Sequence, residues 1–160
     1  DLATATITPH PLRNPPIDPL NYARGRYLPL EAAAVESGWS LVPNWQRSDK
    51  AGTRKQFVGI PTLEAVSAGA TLTLDFEGAA VGLFVTAGPD VGILEYSIDG
   101  KEYPPLDQFT QWSDRLHIPW AYMLAADLKP GKHTLTLRTS AEMNEKSTGN
   151  ACRIVKFFAN

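Results

Sequence analysis

The residues best suited to chemistry lie in one stretch, Thr110 to Tyr122, which reads TQWSDRLHIPWAY. It combines aromatic rings with charged and hydrogen-bonding side chains, a composition that suits sugar recognition. The apolar C–H face of a pyranose stacks on an aromatic ring, and its hydroxyls pair with carboxylate or guanidinium groups. We therefore predict candidate glycan contacts at Trp112, Asp114, Arg115, His117, Trp120 and Tyr122.

A structural interpretation of the same stretch stays open. Large aromatic side chains are mostly buried in a domain of this size. Trp112 and Trp120 would then be core residues beneath a long loop, and Asp114 and Arg115 would form a local ion pair.

Arg54 and Asp90 form a secondary candidate pair. They stand in the turn-like segments AGTR and AGPD, which could meet at one end of a sandwich. The alternative interpretation is a solvated loop, because the neighbouring stretch 46–56 is polar and charged throughout.

Recognisable catalytic motifs are absent from the sequence. It contains no G-x-S-x-G nucleophile elbow and no GDSL-like block. A Ser-His-Asp triad is a spatial arrangement, but His10, His117 and His133 each suit a structural or exposed position better than the position of a base. We predict no catalytic residue in this chain.

Metal and cofactor signatures are equally sparse. A zinc site needs several His, Cys or carboxylate ligands within reach, and the sequence has neither HxxxH nor CxxC. Its glycines do not form a phosphate-binding loop. We predict no cofactor and no metal ligand, although scattered loop carbonyls of a sandwich are compatible with a structural calcium.

Composition and charge exclude several classes of partner. The net charge is −2 and the basic residues are dispersed, which argues against a nucleic-acid or anionic-membrane surface. No apolar run approaches the ~20 residues of a membrane helix, and no signal-peptide pattern opens the chain. The single cysteine, Cys152, lies in the apolar run CRIVKFFA and is predicted to be a small buried hydrophobe.

Short apolar runs with alternation dominate the rest of the chain. ATLTLDF at 70–76 and HTLTLRT at 133–139 alternate cleanly, and Cys152 to Ala159 is a further strand. Ala80 to Lys101 holds two apolar runs, which predict a central hairpin, and Asp99-Gly100 predicts a tight turn. Glu31 to Ser37 suits a helical turn stopped by Gly38.

The predicted fold is an all-β antiparallel sandwich of jelly-roll type with about eight to ten strands, an immunoglobulin-type sandwich being the alternative. The predicted domain covers 21–160. Residues 1–20 contain five prolines, at 9, 11, 15, 16 and 19, and they predict an extended strap or linker. Because the chain begins at Asp1, we expect either a mature secreted protein or, better supported by this linker, a module of a longer protein.

Several segments in order resemble the C-terminal β-sandwich module of bacterial SGNH/GDSL-type esterases. They are IDPLNYARGRYLPL, GWSLVPNW with GTRKQFVGIPTL, VGLFVTAGPDVGILEYSIDGK, QWSDRLHIPWAYMLAADLKPGKHTLTLR and KSTGNACRIVKFFAN. The resemblance implies a secreted or periplasmic bacterial module beside a separate SGNH catalytic domain, with polysaccharide as a further partner. The catalytic residues of that family belong to the other domain, so none is carried over.

Three hypotheses follow. The leading one is a non-catalytic accessory module that binds glycan or buttresses the catalytic domain. A purely structural interface domain is the second, and it predicts an exposed apolar patch. A hydrolase with an unrecognised site is the third.

Overall fold

Strands account for about half of the described residues, and helical turns for very few of them. The computed structural model describes residues 9–11, 13–15, 17–18 and 21–160, so the linker predicted over 1–20 lies mostly outside the described residues. The described part contains thirteen strands and two short 3-10 helices, Leu30–Ala32 and Lys55–Phe57. In chain order the strands are β1 (Arg26–Leu28), β2 (Ala33–Ser37), β3 (Trp39–Val42), β4 (Gly52–Thr53), β5 (Thr62–Ala65), β6 (Thr71–Gly78), β7 (Val81–Ala87), β8 (Ile93–Ile98), β9 (Lys101–Glu102), β10 (Leu106–Asp107), β11 (Leu116–Ala125), β12 (Gly131–Thr139) and β13 (Cys152–Ala159).

The strands form two sheets that pack face to face, which confirms the predicted all-β sandwich. The seven-stranded sheet has the order β3-β5-β13-β7-β11-β4, and β1 extends it beside β13. The six-stranded sheet has the order β10-β8-β12-β6-β2, and β9 pairs with β8. The strand count exceeds the predicted eight to ten because short pairings such as β4, β9 and β10 carry no alternation that sequence could show.

The period-2 pattern explains which side chains enter the core. Leu72 and Leu74 of β6 face Leu137 and Leu135 of β12 across the ladder, and all four are fully buried. Each buried leucine contributes about 1.5–3 kcal/mol relative to an exposed one. The intervening residues of both strands face outward, which leaves the outer surface of the six-stranded sheet polar.

The hairpin predicted over Ala80 to Lys101 is wrong. β7 pairs with β11 and β13 in one sheet, whereas β8 pairs with β12, β10 and β9 in the other. Residues 88–92 therefore cross between the sheets. The two sequence patterns already differ for this reason: β7 is continuously apolar because it lies at the centre of its sheet, and β8 alternates because its outer face is open.

Two local predictions had different outcomes. The predicted turn at Asp99-Gly100 is confirmed, since φ is 53° and 78° at these residues and they join β8 to β9. The helical turn predicted over Glu31 to Ser37 is wrong beyond Ala32. Residues 33–37 instead form strand β2, because Ala33 to Val35 complete the open edge of β6.

One connection crosses the full width of the seven-stranded sheet on its outer face. β3 lies at one edge of that sheet and β4 at the other. The five strand spacings between them span about 24 Å, within the ~30 Å reach of the nine residues 43–51. We call residues 43–61 the crossing segment. It returns to β5, and the predicted solvated loop 46–56 thus contains the parallel pairing of Gly52 and Thr53 with Leu116 and His117.

Candidate functional site

The exposed part of the predicted site is a tight turn at one end of the sandwich, just before β11. The Ser113 amide donates to the Thr110 carbonyl at 3.1 Å, and the Arg115 amide donates to the Trp112 carbonyl at 3.3 Å. The buried Ser113 hydroxyl accepts the Thr110 amide at 3.0 Å. These bonds fix the backbone, so the turn holds its exposed side chains in place.

Trp112, Asp114 and Arg115 are the side chains that this turn presents. Trp112 is 39% exposed, and the Arg115 guanidinium lies over its ring, 5.5 Å from the centroid. Arg115 Nε is 3.9 Å from an oxygen of Asp114, and both side chains are more than half exposed. Such a pair contributes at most about 1 kcal/mol, so these groups are free to bind a ligand. The turn therefore joins an aromatic ring with planar hydrogen-bonding groups.

Trp120 and Tyr122 lie apart from the turn, on the inner face of β11. They stand opposite Val85 and Leu83 in the ladder. Trp120 is 39% exposed because β11 runs near the sheet edge. The Tyr122 hydroxyl donates to the Gln108 carbonyl at 3.0 Å, and burial raises the pKa of this phenol. Among the described residues, no ring contact joins Trp112 to Trp120.

His117 is buried on the outer face of β11, beneath the crossing segment. Its side chain is 2% exposed, and Nε2 lies 2.9 and 3.1 Å from the two carboxylate oxygens of Asp49 in the crossing segment. Nδ1 faces Gly88, where a Cβ would lie 2.1 Å from it. The predicted glycan contact at His117 therefore corresponds to an anchor for the crossing segment.

The predicted partnership of Arg54 and Asp90 does not form. Arg54 is exposed, and Asp90 instead makes a bidentate pair with Arg153 of β13, with N–O distances of 2.7 and 2.6 Å. Burial by itself raises the pKa of Asp90, but the hydrogen bonds and charge of Arg153 outweigh burial and lower the pKa overall. Bidentate hydrogen bonds between arginine and a carboxylate are among the strongest in proteins.

Arg153 also holds the crossing segment. Its Nε donates to Glu64 at 2.7 Å, and its guanidinium lies over the Trp45 ring, 5.4 Å from the centroid. Trp45 is 2% exposed and contacts His117 edge to face on the other side. Sequence reasoning missed this cluster. The available signal was a charged residue inside the apolar run CRIVKFFA, since such a residue is buried only with a partner.

A separate groove opens on the uncovered half of the seven-stranded sheet. It has a volume of about 480 Å³, and its lining side chains are largely apolar. Tyr27 is 70% exposed and Met123 51% exposed. Gly82 permits its shape, because a Cβ there would lie 2.2 Å from the Phe158 ring, which lies across this glycine. We call this surface the apolar groove; its main residues are Tyr22, Tyr27, Phe84, Ala121, Met123 and Phe158.

Cys152 is fully buried, as predicted, and burial raises the pKa of its thiol to about 12. Across 9–11, 13–15, 17–18 and 21–160, no group of three or more His, Cys, Asp or Glu side chains is arranged to hold a metal ion. In the same part of the chain, no helix has the length and apolar character needed to span a bilayer.

No protein-family model and no curated protein matches this sequence. Solved structures do resemble the fold. A two-domain esterase (CEX) active on acetylated mannans, co-crystallised with mannopentaose, matches with a TM-score of 0.62 and 17% identity over 93% of this chain and 39% of that chain.

Two further structures share the fold. A xanthan lyase of Paenibacillus matches with a TM-score of 0.55 and 17% identity over 95% of this chain and 14% of that one. An exo-β-1,3-galactanase of Phanerochaete chrysosporium, with β-1,3-galactotriose, matches with a TM-score of 0.51 and 16% identity over 84% of this chain and 28% of that one. The present chain thus spans well under half the length of each. At these identities the likeness shows the β-sandwich fold.

Proposed function

We propose that this chain is a non-catalytic, glycan-binding accessory module of a carbohydrate esterase. The observation that carries the proposal is the span of the structural match: 93% of this chain corresponds to only 39% of a two-domain esterase active on acetylated mannans. A fold does not fix a function, but modules of this shape in three carbohydrate-active enzymes support a role of the same kind here. Such a module acts outside the cytoplasm, so the proposal includes a secreted or periplasmic bacterial protein.

The turn at 110–115 is the proposed glycan contact. Trp112 offers an exposed ring, and Asp114 and Arg115 offer a carboxylate and a guanidinium beside it. A pyranose would stack on the ring and place its hydroxyls against these groups. The backbone hydrogen bonds of the turn hold the ring ready, which lowers the cost of ordering it on binding.

Affinity electrophoresis and calorimetry with acetylated and unacetylated mannan test this contact. We expect the 160-residue chain to bind, and Trp112→Ala to weaken binding. Tyr27→Ala is the matched control, because it removes another exposed aromatic ring that belongs to the apolar groove and not to the turn at 110–115. Absence of binding to every glycan offered, or equal binding by Trp112→Ala and the unchanged chain, would contradict the proposal.

We also propose that the parent protein carries an SGNH-type catalytic domain. The present chain then contributes none of the catalytic residues of that domain. The histidine geometry supports this division. His117 Nε2 contacts Asp49, and His133 contacts Asp99 and the Lys129 carbonyl, so no serine hydroxyl pairs with either ring among the described residues. Release of acetate from an aryl acetate by this chain alone would contradict it. A gene product without an adjacent SGNH-type domain would contradict the assigned parent.

The apolar groove favours a second candidate function, an interface domain. Exposed apolar surface of this kind usually marks an interaction site, and the matched esterase has more than half of its chain outside the shared fold. The occupant would be the catalytic domain of the same polypeptide. Size-exclusion chromatography tests this interface on a mixture of this chain and the separately produced catalytic domain of the parent protein. We expect a complex that Met123→Lys weakens and Trp112→Ala leaves unchanged. An unchanged elution profile for Met123→Lys would rule this surface out.

A further inference from the structure

A second groove lies on the outer face of the six-stranded sheet, on the opposite side of the sandwich from the apolar groove. It has a volume of about 550 Å³, within the range of roughly 300–1,000 Å³ typical of ligand sites. We call it the polar groove. Its floor is formed by Glu95 and Ser97 of β8 and Thr136 and Arg138 of β12.

The strand register makes this floor an ordered array. Arg138 stands directly opposite Glu95, and Thr136 directly opposite Ser97. Side chains opposite each other are about 5 Å apart, and neighbours along a strand on one face are about 6.7 Å apart. Hydroxyl and charged groups thus lie at regular spacings along a surface that the strand pairing holds in place.

The charged members of the floor are held in defined positions. Glu95 accepts a hydrogen bond from the Ser140 hydroxyl at 2.7 Å, and its other oxygen lies 3.1 Å from Arg138 Nε. The Arg138 side chain is more than half exposed, and among the described residues no hydrogen bond to protein involves its terminal nitrogens. Arg138 therefore has donors available for a ligand and is already oriented by Glu95.

The edge of the six-stranded sheet beside this array is held in a fixed position. The rings of Tyr103 and Tyr96 stack with a centroid separation of 5.5 Å and an interplanar angle of 13°, and both pack against the core. The Tyr96 hydroxyl donates to the Leu124 carbonyl at 3.0 Å. Tyr103 and Pro105 thus border the groove at this edge. The floor itself presents hydroxyl, carboxylate and guanidinium groups, which suit a ligand with many hydroxyls.

The charges of the groove select among such ligands. Glu95, Glu102 and Glu142 line it together with Arg138. Even with Lys101, whose Nζ lies 5.3 Å from the centre of the Tyr103 ring, carboxylates outnumber cations. An anionic polysaccharide would meet net repulsion here, whereas an uncharged one would not.

The polar groove also continues toward the turn at 110–115. Glu142 lines the groove, and two residues later Asn144 lines a smaller cavity of about 230 Å³ with Thr110 and Asp114. Asn144 Nδ2 donates to Asp107 at 2.6 Å, which fixes this bridge against β10. A single extended ligand can thus contact both surfaces.

We propose that the polar groove binds an uncharged polysaccharide along β8 and β12, and that the same chain of sugars reaches the turn at Trp112. This inference rests on the proposed glycan-binding function and assigns it a second surface and a ligand class. Affinity should rise with oligosaccharide length, because a short ligand occupies only one of the two surfaces.

Calorimetry with mannobiose, mannopentaose, unacetylated glucomannan and polygalacturonate tests the proposal. We expect binding to the neutral ligands, tighter for mannopentaose than for mannobiose, and none to polygalacturonate. The double variant Thr136→Ala/Arg138→Ala should bind glucomannan ~10-fold or more weakly. Thr73→Ala is the matched control, since Thr73 stands opposite Thr136 on the same face but does not line the groove.

The outcomes separate this inference from the proposed function. If Trp112→Ala weakens binding and the double variant does not, the polar groove is overturned while the glycan-binding module stands. Tighter binding of polygalacturonate than of glucomannan overturns the ligand class. Amide chemical-shift changes on adding mannopentaose, expected at Ser97, Thr136 and Arg138, give a readout independent of mutation; changes confined to 110–115 overturn the groove. Thermal melts of each variant verify folding.

Discussion

Arg153 shows how one side chain ties the crossing segment to the sheet. It is 5% exposed, yet its partners come from three separate parts of the chain, Glu64 on β5, Asp90 after β7, and the ring of Trp45. A buried pair of this kind is weak evidence for net stability. Removal of one partner is nevertheless costly, because the remaining charges stay partly buried.

We predict that Arg153→Met lowers the free energy of unfolding by about 3 kcal/mol or more. Asp90 and Glu64 would both lose their cation, and Trp45 would lose its covering guanidinium. Urea titration measures the change. Arg115→Met is the control, because its partner Asp114 is exposed and the loss should stay within about 1 kcal/mol. Equal midpoints for the two variants would contradict the prediction.

His133 is the residue whose charge should make stability depend on pH near neutrality. Its Nδ1 lies 2.6 Å from an Asp99 oxygen and its Nε2 lies 2.7 Å from the Lys129 carbonyl. Only the protonated ring donates to both, and the hydrogen bond to Asp99 raises the pKa of His133 above its usual value of 6.5. The same bond lowers the pKa of Asp99.

We expect the contribution of His133 to be fully present below pH ~6.5, and to be lost as the pH rises through the raised pKa of the folded state. Asp99 acts in the opposite sense, and its contribution is lost in acid as the pH falls through its lowered pKa. Thermal melts between mildly acidic and mildly basic pH measure this slope. Asp99→Asn should flatten it, because asparagine keeps the left-handed turn conformation at φ 53° without the charge. An unchanged slope in Asp99→Asn would contradict the assignment.

The connection from β7 to β8 decides the packing of one end of the sandwich. Residues 88–92 leave one sheet and enter the other, and the parallel bridge between Val91 and Ala151 holds them against the start of β13. Gly88 lies directly against His117 of β11. The connection 88–92 therefore has no room for a side chain at Gly88.

We predict that Gly88→Ala destabilises the protein by about 1–3 kcal/mol, the usual cost of overpacking. A Cβ at this position would lie 2.1 Å from His117 Nδ1, so His117 would have to shift and loosen its contact with Asp49. Urea titration measures the cost. Gly52→Ala is the control, since the nearest atom there is the flexible end of Leu116 at 3.2 Å. A cost for Gly88→Ala no larger than for Gly52→Ala would contradict the prediction.

At the scale of the whole molecule, the sheets are joined by pairings distant in sequence. β13 pairs with β1, β5 and β7, so the last strand completes a sheet begun near residue 26. We expect folding in milliseconds to seconds, because long loops must close before these pairings form. Stopped-flow fluorescence of the four tryptophans measures the rate. Folding in microseconds would contradict this expectation. Lys156→Ala is the control, because Lys156 is the exposed position of β13 and its loss should leave the folding rate unchanged.

The alternation of the sequence by itself determined the all-β class and most long strands, because burial of every second side chain is a local property of the chain. β13 begins and ends where it was predicted, and β6 and β12 lie within two residues of their predicted bounds. Three residues of the predicted stretch Thr110 to Tyr122, namely Trp112, Asp114 and Arg115, lie together in an exposed turn, and their role as glycan contacts stays a prediction.

Only the tertiary structure decided which strands share a sheet and which polar residues meet. Alternation says nothing about partners distant in sequence, so β7 and β8 looked like a hairpin although they lie in different sheets. Asp90 pairs with Arg153 rather than with Arg54, and His117 contacts Asp49 beneath the crossing segment. The polar groove likewise exists only because the register sets Glu95 opposite Arg138. Register and sheet order follow from packing of the whole chain, which a local pattern does not contain.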